Sequence, residues 1–149
     1  MRNLQGFTLV ELMITIGVLA ILATLAVPSF ASMVRKYNLE SSTMELNMLL
    51  SEARTTAAMT RKDVTVHLNQ AAQNTLQHKY WMPKGKVSYR STEITTLVFK
   101  ASGHLQTSAA GSIDTVLTLC DQSSLSNLSM SLRLSHFGTV QNIEKGQCS

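Results

Sequence analysis

The feature that most constrains this chain is an apolar run from Phe7 to Val27, in which Glu11 is the only ionisable side chain. As a helix the run would span roughly 31 Å, about the thickness of the hydrocarbon core of a bilayer. A carboxylate near one end of such a helix is costly in lipid, so Glu11 is a candidate functional residue. The run therefore predicts a membrane anchor in which the single carboxylate, that of Glu11, has a functional role.

A short polar leader, residues 1–6, precedes the apolar run and carries Arg2 as well as the amino terminus. Positive charge before the run predicts that the amino terminus stays in the cytoplasm and that the rest of the chain lies outside. A secretory signal peptide is disfavoured, because the run is longer than the usual core of about 7–15 residues and no clear small-x-small cleavage site precedes a new domain.

The helical pattern continues beyond Pro28, although this residue cannot donate to the carbonyl of Thr24 and should end or kink the apolar segment. Gly17 is a second weak point in the helix. We predict one long helix, membrane-embedded over residues 7–28 and amphipathic over residues 29–62. Apolar residues of the second part recur on one helical face: Leu46, Leu49, Leu50, Ala53 and Ala57.

We expect the helix to close with Arg61 and Lys62 in its last turn, where the helix dipole favours cations. Residues 63–149 then change to strand-like alternation with turn residues between the segments. The predicted fold class is α+β, a long N-terminal α-helix packed against a C-terminal antiparallel β-sheet domain. The predicted strands are Val64–Leu68, Leu76–Met82, Val87–Tyr89, Ile94–Lys100, His104–Thr107, Ile113–Leu119, Ser129–Ser135 and Thr139–Ile143, with loops over 109–112 and 121–127.

The chain has two cysteines, Cys120 and Cys148. If the apolar run sends the β domain across a membrane, an oxidising compartment follows and the two thiols are expected to form a disulfide. Closing this loop would stabilise the fold by roughly 3–4 kcal/mol in the chain-entropy model.

The stretch Gly6-Phe7-Thr8-Leu9-Val10-Glu11, with its six-residue leader, long apolar helix and Pro28, closely resembles the amino terminus of type IV pilins and type II secretion pseudopilins. Three later stretches are similar to the carboxy-terminal pattern of the GspH/FimT class of minor pilins and pseudopilins. They are Val98–Gly103, Leu119–Asp121 and Leu134–Val140. The resemblance implies the pilin fold.

The resemblance also implies a route of processing and assembly. A prepilin peptidase in the inner membrane would cleave after Gly6 and methylate the new amino group of Phe7. Thr8 and Glu11 would serve filament assembly, with Glu11 facing the amino group of a neighbouring subunit and so selecting one axial register. Gly17 and Pro28 would permit local unwinding. The implied partners are other pilins or pseudopilins, the peptidase, an inner-membrane assembly platform and the inner membrane itself.

DNA is a further candidate partner, because the net charge is +4 and some minor pilins of this class capture DNA. The Gly-Arg-x-Arg motif of such members is replaced here by Gly138-Thr139-Val140-Gln141, without either arginine. A different basic and aromatic stretch could neutralise phosphates and stack bases; its residues are Lys79, Trp81, Lys84, Lys86 and Arg90. We favour the alternative in which its aromatics pack in the core and its lysines face water.

No catalytic constellation, cofactor motif or metal site is predicted. The histidines, His67, His78, His104 and His136, have no ligand-like spacing in the sequence and are expected to be ordinary strand or loop residues. The favoured function is a minor pilin in the tip or priming complex of a type IV pilus, with a periplasmic β domain, supporting pilus biogenesis, twitching motility or DNA uptake. The alternatives are a type II secretion minor pseudopilin of the H class and a signal-anchored periplasmic binding protein.

Overall fold

The computed structural model describes residues 7–107, 115–122 and 127–148, which form one helix followed by strands. The chain divides into two compact units, one up to Val34 and one from Arg35. The elements are α1 (Leu9–Thr60), β1 (Val64–Leu68), β2 (His78–Trp81), β3 (Val87–Tyr89), β4 (Thr96–Phe99), β5 (Leu105–Thr107), β6 (Thr115–Asp121), β7 (Leu128–Leu134) and β8 (Val140–Gln147).

The part of α1 that follows Val34 buries one face in the second unit, as the apolar spacing predicts. Leu49 is half-buried at the edge of this face. The fully covered residues are Leu39, Ser42, Thr43, Leu46, Leu50, Ala53 and Ala57. The helix ends at Thr60 because Arg61 adopts a left-handed backbone conformation, with φ of 53°. The prediction that cations occupy the last turn is therefore wrong, since Arg61 and Lys62 lie just beyond it.

The strands form two four-stranded sheets, with orders β2-β1-β4-β5 and β3-β6-β7-β8. All the strand pairs are antiparallel except β1 and β2, which run parallel with Thr65 opposite His78. The predicted α+β class is confirmed. The division into two sheets and the parallel pair were not predicted. The parallel pair arises because residues 69–77 carry the chain back to the start of β1 before β2 begins.

The core lies between the buried face of α1 and the inward residues of the strands. Val64, Val66 and Leu68 of β1 point inward, while Thr65 and His67 point outward, which is the period-two pattern of a half-buried strand. Leucines dominate the inner faces of the remaining strands, at Leu97, Leu117, Leu119, Leu132 and Leu134.

Strand boundaries depart from the predictions mainly at the two ends of the β domain. β2 is shorter than the predicted Leu76–Met82, and β8 extends to Gln147 rather than stopping at Ile143. β8 is longer because it pairs along the whole of β7, from Leu128 opposite Gln147 to Leu134 opposite Val140. The leader 1–6, the loop 109–112, the start of the strand over 113–119 and residues 123–126 lie outside the described residues.

Candidate functional site

The amino-terminal part of α1 leaves its apolar side chains uncovered. Every residue from Phe7 to Phe30 is exposed within the described structure. The helix is long and apolar enough to cross a membrane, and none of its apolar window is buried as it would be in a core helix. Soluble proteins rarely expose a contiguous apolar surface of this size. The segment is therefore suited to contact lipid or other helices.

Thr8 caps the start of this helix. The backbone N–H of Glu11 donates to Thr8 Oγ1 at 3.2 Å, and the N–H of Leu12 donates to the Thr8 carbonyl at 3.2 Å. Thr8 is thus the N-cap, and Glu11 is the third helical residue, where an acid completes the spacing of a capping box and interacts favourably with the helix dipole. Sequence reasoning missed this role, although the Thr-x-x-Glu spacing is a local signal that could have shown it.

The cap places the Glu11 carboxylate in the first turn of an uncovered helix, one turn after Phe7. Phe7 precedes the helix and is exposed, while Gly6, the predicted cleavage residue, lies outside the described residues. The processing of Gly6 and Phe7 and the assembly roles of Thr8 and Glu11 stay predictions.

Gly17 and Pro28, the predicted kink positions, both lie inside α1, which continues through them. A Cβ added at Gly17 would meet no atom within 4 Å, so no neighbour in the structure requires glycine there. Close to Pro28, the hydroxyl of Thr24 donates to the Ile21 carbonyl at 2.7 Å. Local unwinding at these two positions stays a prediction for the packed state.

The basic stretch considered for DNA is divided by the fold into buried and exposed residues. Trp81 and Lys79 are only 3% and 7% exposed, and Lys79 Nζ donates to Glu52 Oε1 of α1 at 2.6 Å. The Trp81 ring packs edge-on against Tyr89, with ring centroids 6.3 Å apart. These two residues therefore favour the alternative of core packing over base stacking.

Two further helix acids each pair with a lysine of the β domain. Lys84 Nζ lies 2.9 Å from Glu45 Oε2, and Lys145 Nζ donates to Glu40 Oε1 at 2.8 Å. The hydrogen bond from Lys145 lowers the pKa of Glu40. Among the candidate residues for DNA, Lys84, Lys86 and Arg90 are exposed, and their binding role stays a prediction.

Cys120 and Cys148 form a disulfide, as expected. Cys120 is buried in β6, and Cys148 follows the end of β8. β7 lies between β6 and β8 in the sheet. The bond therefore joins the residue after β8 to β6, across the intervening strand. The backbone N–H of Cys148 also donates to the carbonyl of Asn127 at 2.7 Å.

The four histidines, which the sequence scatters, meet in two pairs on the surface. His67 and His78 stack with a 5.6 Å separation of ring centroids, while His104 and His136 meet edge-on at 5.2 Å. The first pair joins neighbouring strands, and the second joins the start of β5 to the turn before β8. Pairing of this kind depends on the register in which neighbouring strands pair, and the spacing of the histidines along the sequence does not predict that register.

Residues 1–27 match the family model of the prokaryotic N-terminal methylation motif. This match covers the leader, the capped helix start and the apolar run with its single carboxylate. The match supports a protein of the type IV pilin or pseudopilin kind.

Type II secretion system protein H of Pseudomonas aeruginosa is similar to this chain, with 31% identity over 109 residues. The similarity covers 69% of this chain and 62% of that protein. Pilins and pseudopilins are structural, non-enzymatic families. The apolar helix fits a subunit anchored in the inner membrane.

Proposed function

We propose that this chain is a minor subunit of a filament of the type IV pilus class, and that its mechanism is assembly rather than catalysis. The observation that carries the proposal is the uncovered apolar helix from Phe7 to Phe30 with one carboxylate, Glu11, in its first turn. Such a surface can be covered by lipid before assembly and by the helices of other subunits afterwards.

In this proposal the inner-membrane peptidase removes residues 1–6 and methylates Phe7, and the assembly platform inserts the subunit. The positive amino group of Phe7 in one subunit pairs with Glu11 of a neighbour. An unpaired charge between packed apolar helices is costly, and breaking a buried pair by removing one partner costs about 3–5 kcal/mol. The pair would therefore favour the axial register that brings the two groups together.

Glu11→Gln tests the charge separately from the helix cap. Glutamine can still serve at the third position of a capping box, whereas it cannot pair with a cation as a carboxylate does. We expect the variant to be cleaved and methylated, as shown by intact mass, yet to enter filaments poorly in shear preparations. Normal incorporation would contradict the register role, and an uncleaved wild-type chain would overturn the pilin assignment of residues 1–6.

Two assemblies are candidates for the filament that contains this subunit. A type IV pilus, with this chain in the tip or priming complex, would connect it to twitching motility or DNA uptake. A type II secretion pseudopilus is favoured by the similarity to type II secretion system protein H, of which the chain spans 62%. In both cases the β domain would lie in the periplasm before assembly.

A deletion strain scored in parallel for surface piliation, twitching, transformation and protein secretion separates the two candidates. Loss of twitching or transformation with normal secretion supports the pilus. Loss of secretion with normal piliation supports the pseudopilus. The Glu11→Gln variant, expressed in the deletion strain, should not restore the activity that the deletion abolishes.

A further inference from the structure

The outward face of β1 and β2 presents a histidine pair on a rigid support. His67 in β1 lies opposite Tyr80 in β2, and His78 lies two residues before Tyr80 on the same face. The inward neighbours of these residues, Val66, Lys79 and Trp81, are buried. Both imidazoles therefore project from strands that the core fixes in place, which is how precise binding sites are supported.

The two imidazoles approach each other through ring nitrogens. His67 Nε2 lies 3.3 Å from His78 Nδ1. Two nitrogens bound to one tetrahedral zinc ion, each about 2.0–2.1 Å from the metal, are about 3.3–3.4 Å apart. We propose that His67 and His78 form a two-histidine surface site for a divalent transition-metal ion of the zinc type, bound through His67 Nε2 and His78 Nδ1.

Neighbouring groups hold the His67 ring and the backbone of His78 in place. The Tyr80 ring stacks on His67 with centroids 4.6 Å apart and planes 11° apart. The backbone N–H of His78 donates to Thr75 Oγ1 at 3.0 Å, and the N–H of Thr75 donates to the His78 carbonyl at 2.8 Å. Part of the site is therefore fixed before an ion binds, which favours affinity, and the two rings need to turn so that both lone pairs point at the ion.

The protonation of the pair is compatible with metal binding. Neutral imidazole is the form of histidine that binds a metal. Without a metal, one ring donates its N–H to the other ring's nitrogen. For both facing nitrogens to bind an ion, that proton would move to the donor ring's other nitrogen, which leaves a lone pair on His67 Nε2 and on His78 Nδ1.

The remaining coordination positions would be filled by water. Among the residues that the structure describes, no group of three or more histidine, cysteine, aspartate or glutamate side chains could hold a metal. Two ligands make a weaker site than the three or four of catalytic and structural zinc centres. The site therefore differs from a buried structural metal, and the fold does not depend on it.

Zinc titration of the untagged full chain in detergent micelles tests the proposal. Calorimetry should show one saturable zinc ion per chain. Long-range proton–nitrogen spectra should show metal-induced shifts at His67 Nε2 and His78 Nδ1. Loss of a group that merely supports a ligand costs about 10–100-fold in affinity. We therefore expect His67→Gln and His78→Gln each to weaken zinc binding at least about tenfold.

The second histidine pair provides a matched control, because His104 and His136 meet edge-on through their rings. The double variant His104→Gln/His136→Gln should bind zinc as the wild type does. Unchanged Trp81 fluorescence would show that each variant is folded. The proposal is overturned if the wild type shows no saturable binding, if neither single variant weakens it, or if the control loses affinity equally.

Discussion

Removing the disulfide should destabilise the β domain strongly, because this bond is the covalent link between the end of β8 and the buried strand β6. No residue of β8 is buried, and Cys148 lies just beyond it. Cys120, by contrast, is buried in β6. The variant Cys120→Ala/Cys148→Ala removes the bond and leaves a small apolar side chain at the buried position.

The expected loss follows from the length of the loop that the bond closes. The two cysteines are separated by 28 positions in the sequence. Constraining a loop of this length in the unfolded chain corresponds to about 3–4 kcal/mol of stability. Native proteins of this size are stable by only about 5–15 kcal/mol, so the variant should unfold at a much lower denaturant concentration.

Urea unfolding of the full chain in micelles measures this change through Trp81. It is the single tryptophan of the sequence and lies 3% exposed in β2, so its emission reports unfolding of the β domain. Wild-type protein that has been reduced and alkylated should lose a similar amount. A loss below about 1 kcal/mol in both samples would refute the loop-closure reasoning.

Two further predictions concern stability of the same unit. Gly138→Ala should lower the free energy of unfolding in urea by about 1–3 kcal/mol more than Gly103→Ala. Both glycines have positive φ, but a Cβ at Gly138 would collide with the Phe99 ring, whereas a Cβ at Gly103 would meet open space. Equal losses would contradict the collision. Asp63→Asn should destabilise the protein at neutral pH, because the Asp63 carboxylate accepts hydrogen bonds from Lys100 Nζ and the Ala101 N–H, which lower its pKa. Since a lowered pKa gives stability that is lost as pH falls, the difference from wild type should shrink below the ordinary pKa of 3.8 and vanish in acid; a difference that persists there would contradict this explanation.

The sequence predicts the parts of the fold that depend on local pattern. The apolar run, the amphipathic face around Leu46 and Leu50, and most strands follow from periodicity. The cap at Thr8 and Glu11 is also local and could have been found from its spacing. The end of α1 was misplaced because the left-handed conformation of Arg61 has no marker in the sequence.

The contacts that join distant segments could not be predicted in the same way. The pairing of Lys79 with Glu52 spans 27 positions, and that of Lys145 with Glu40 spans 105. Both depend on which strand lies over which turn of α1. The histidine pairs have the same origin, since His67 meets His78 only because β1 and β2 run parallel in one register. Long-range register follows from the whole core, so a single stretch of sequence does not determine it.

In the proposed function, the uncovered helix from Phe7 to Phe30 bears on how a subunit moves from the membrane into a filament. Lipid tails are about as apolar as leucine side chains, so moving this helix from a bilayer into a bundle of similar helices changes its hydrophobic free energy little. The apolar surface therefore restricts the helix to a bilayer or a helix bundle but does not favour either one. The preference between the two environments then depends on close packing and on polar groups. Glu11 is the only ionisable side chain in the apolar run. In the proposed function, the free energy that favours the filament therefore comes from close packing and from the pairing of Glu11, because covering the apolar surface contributes little.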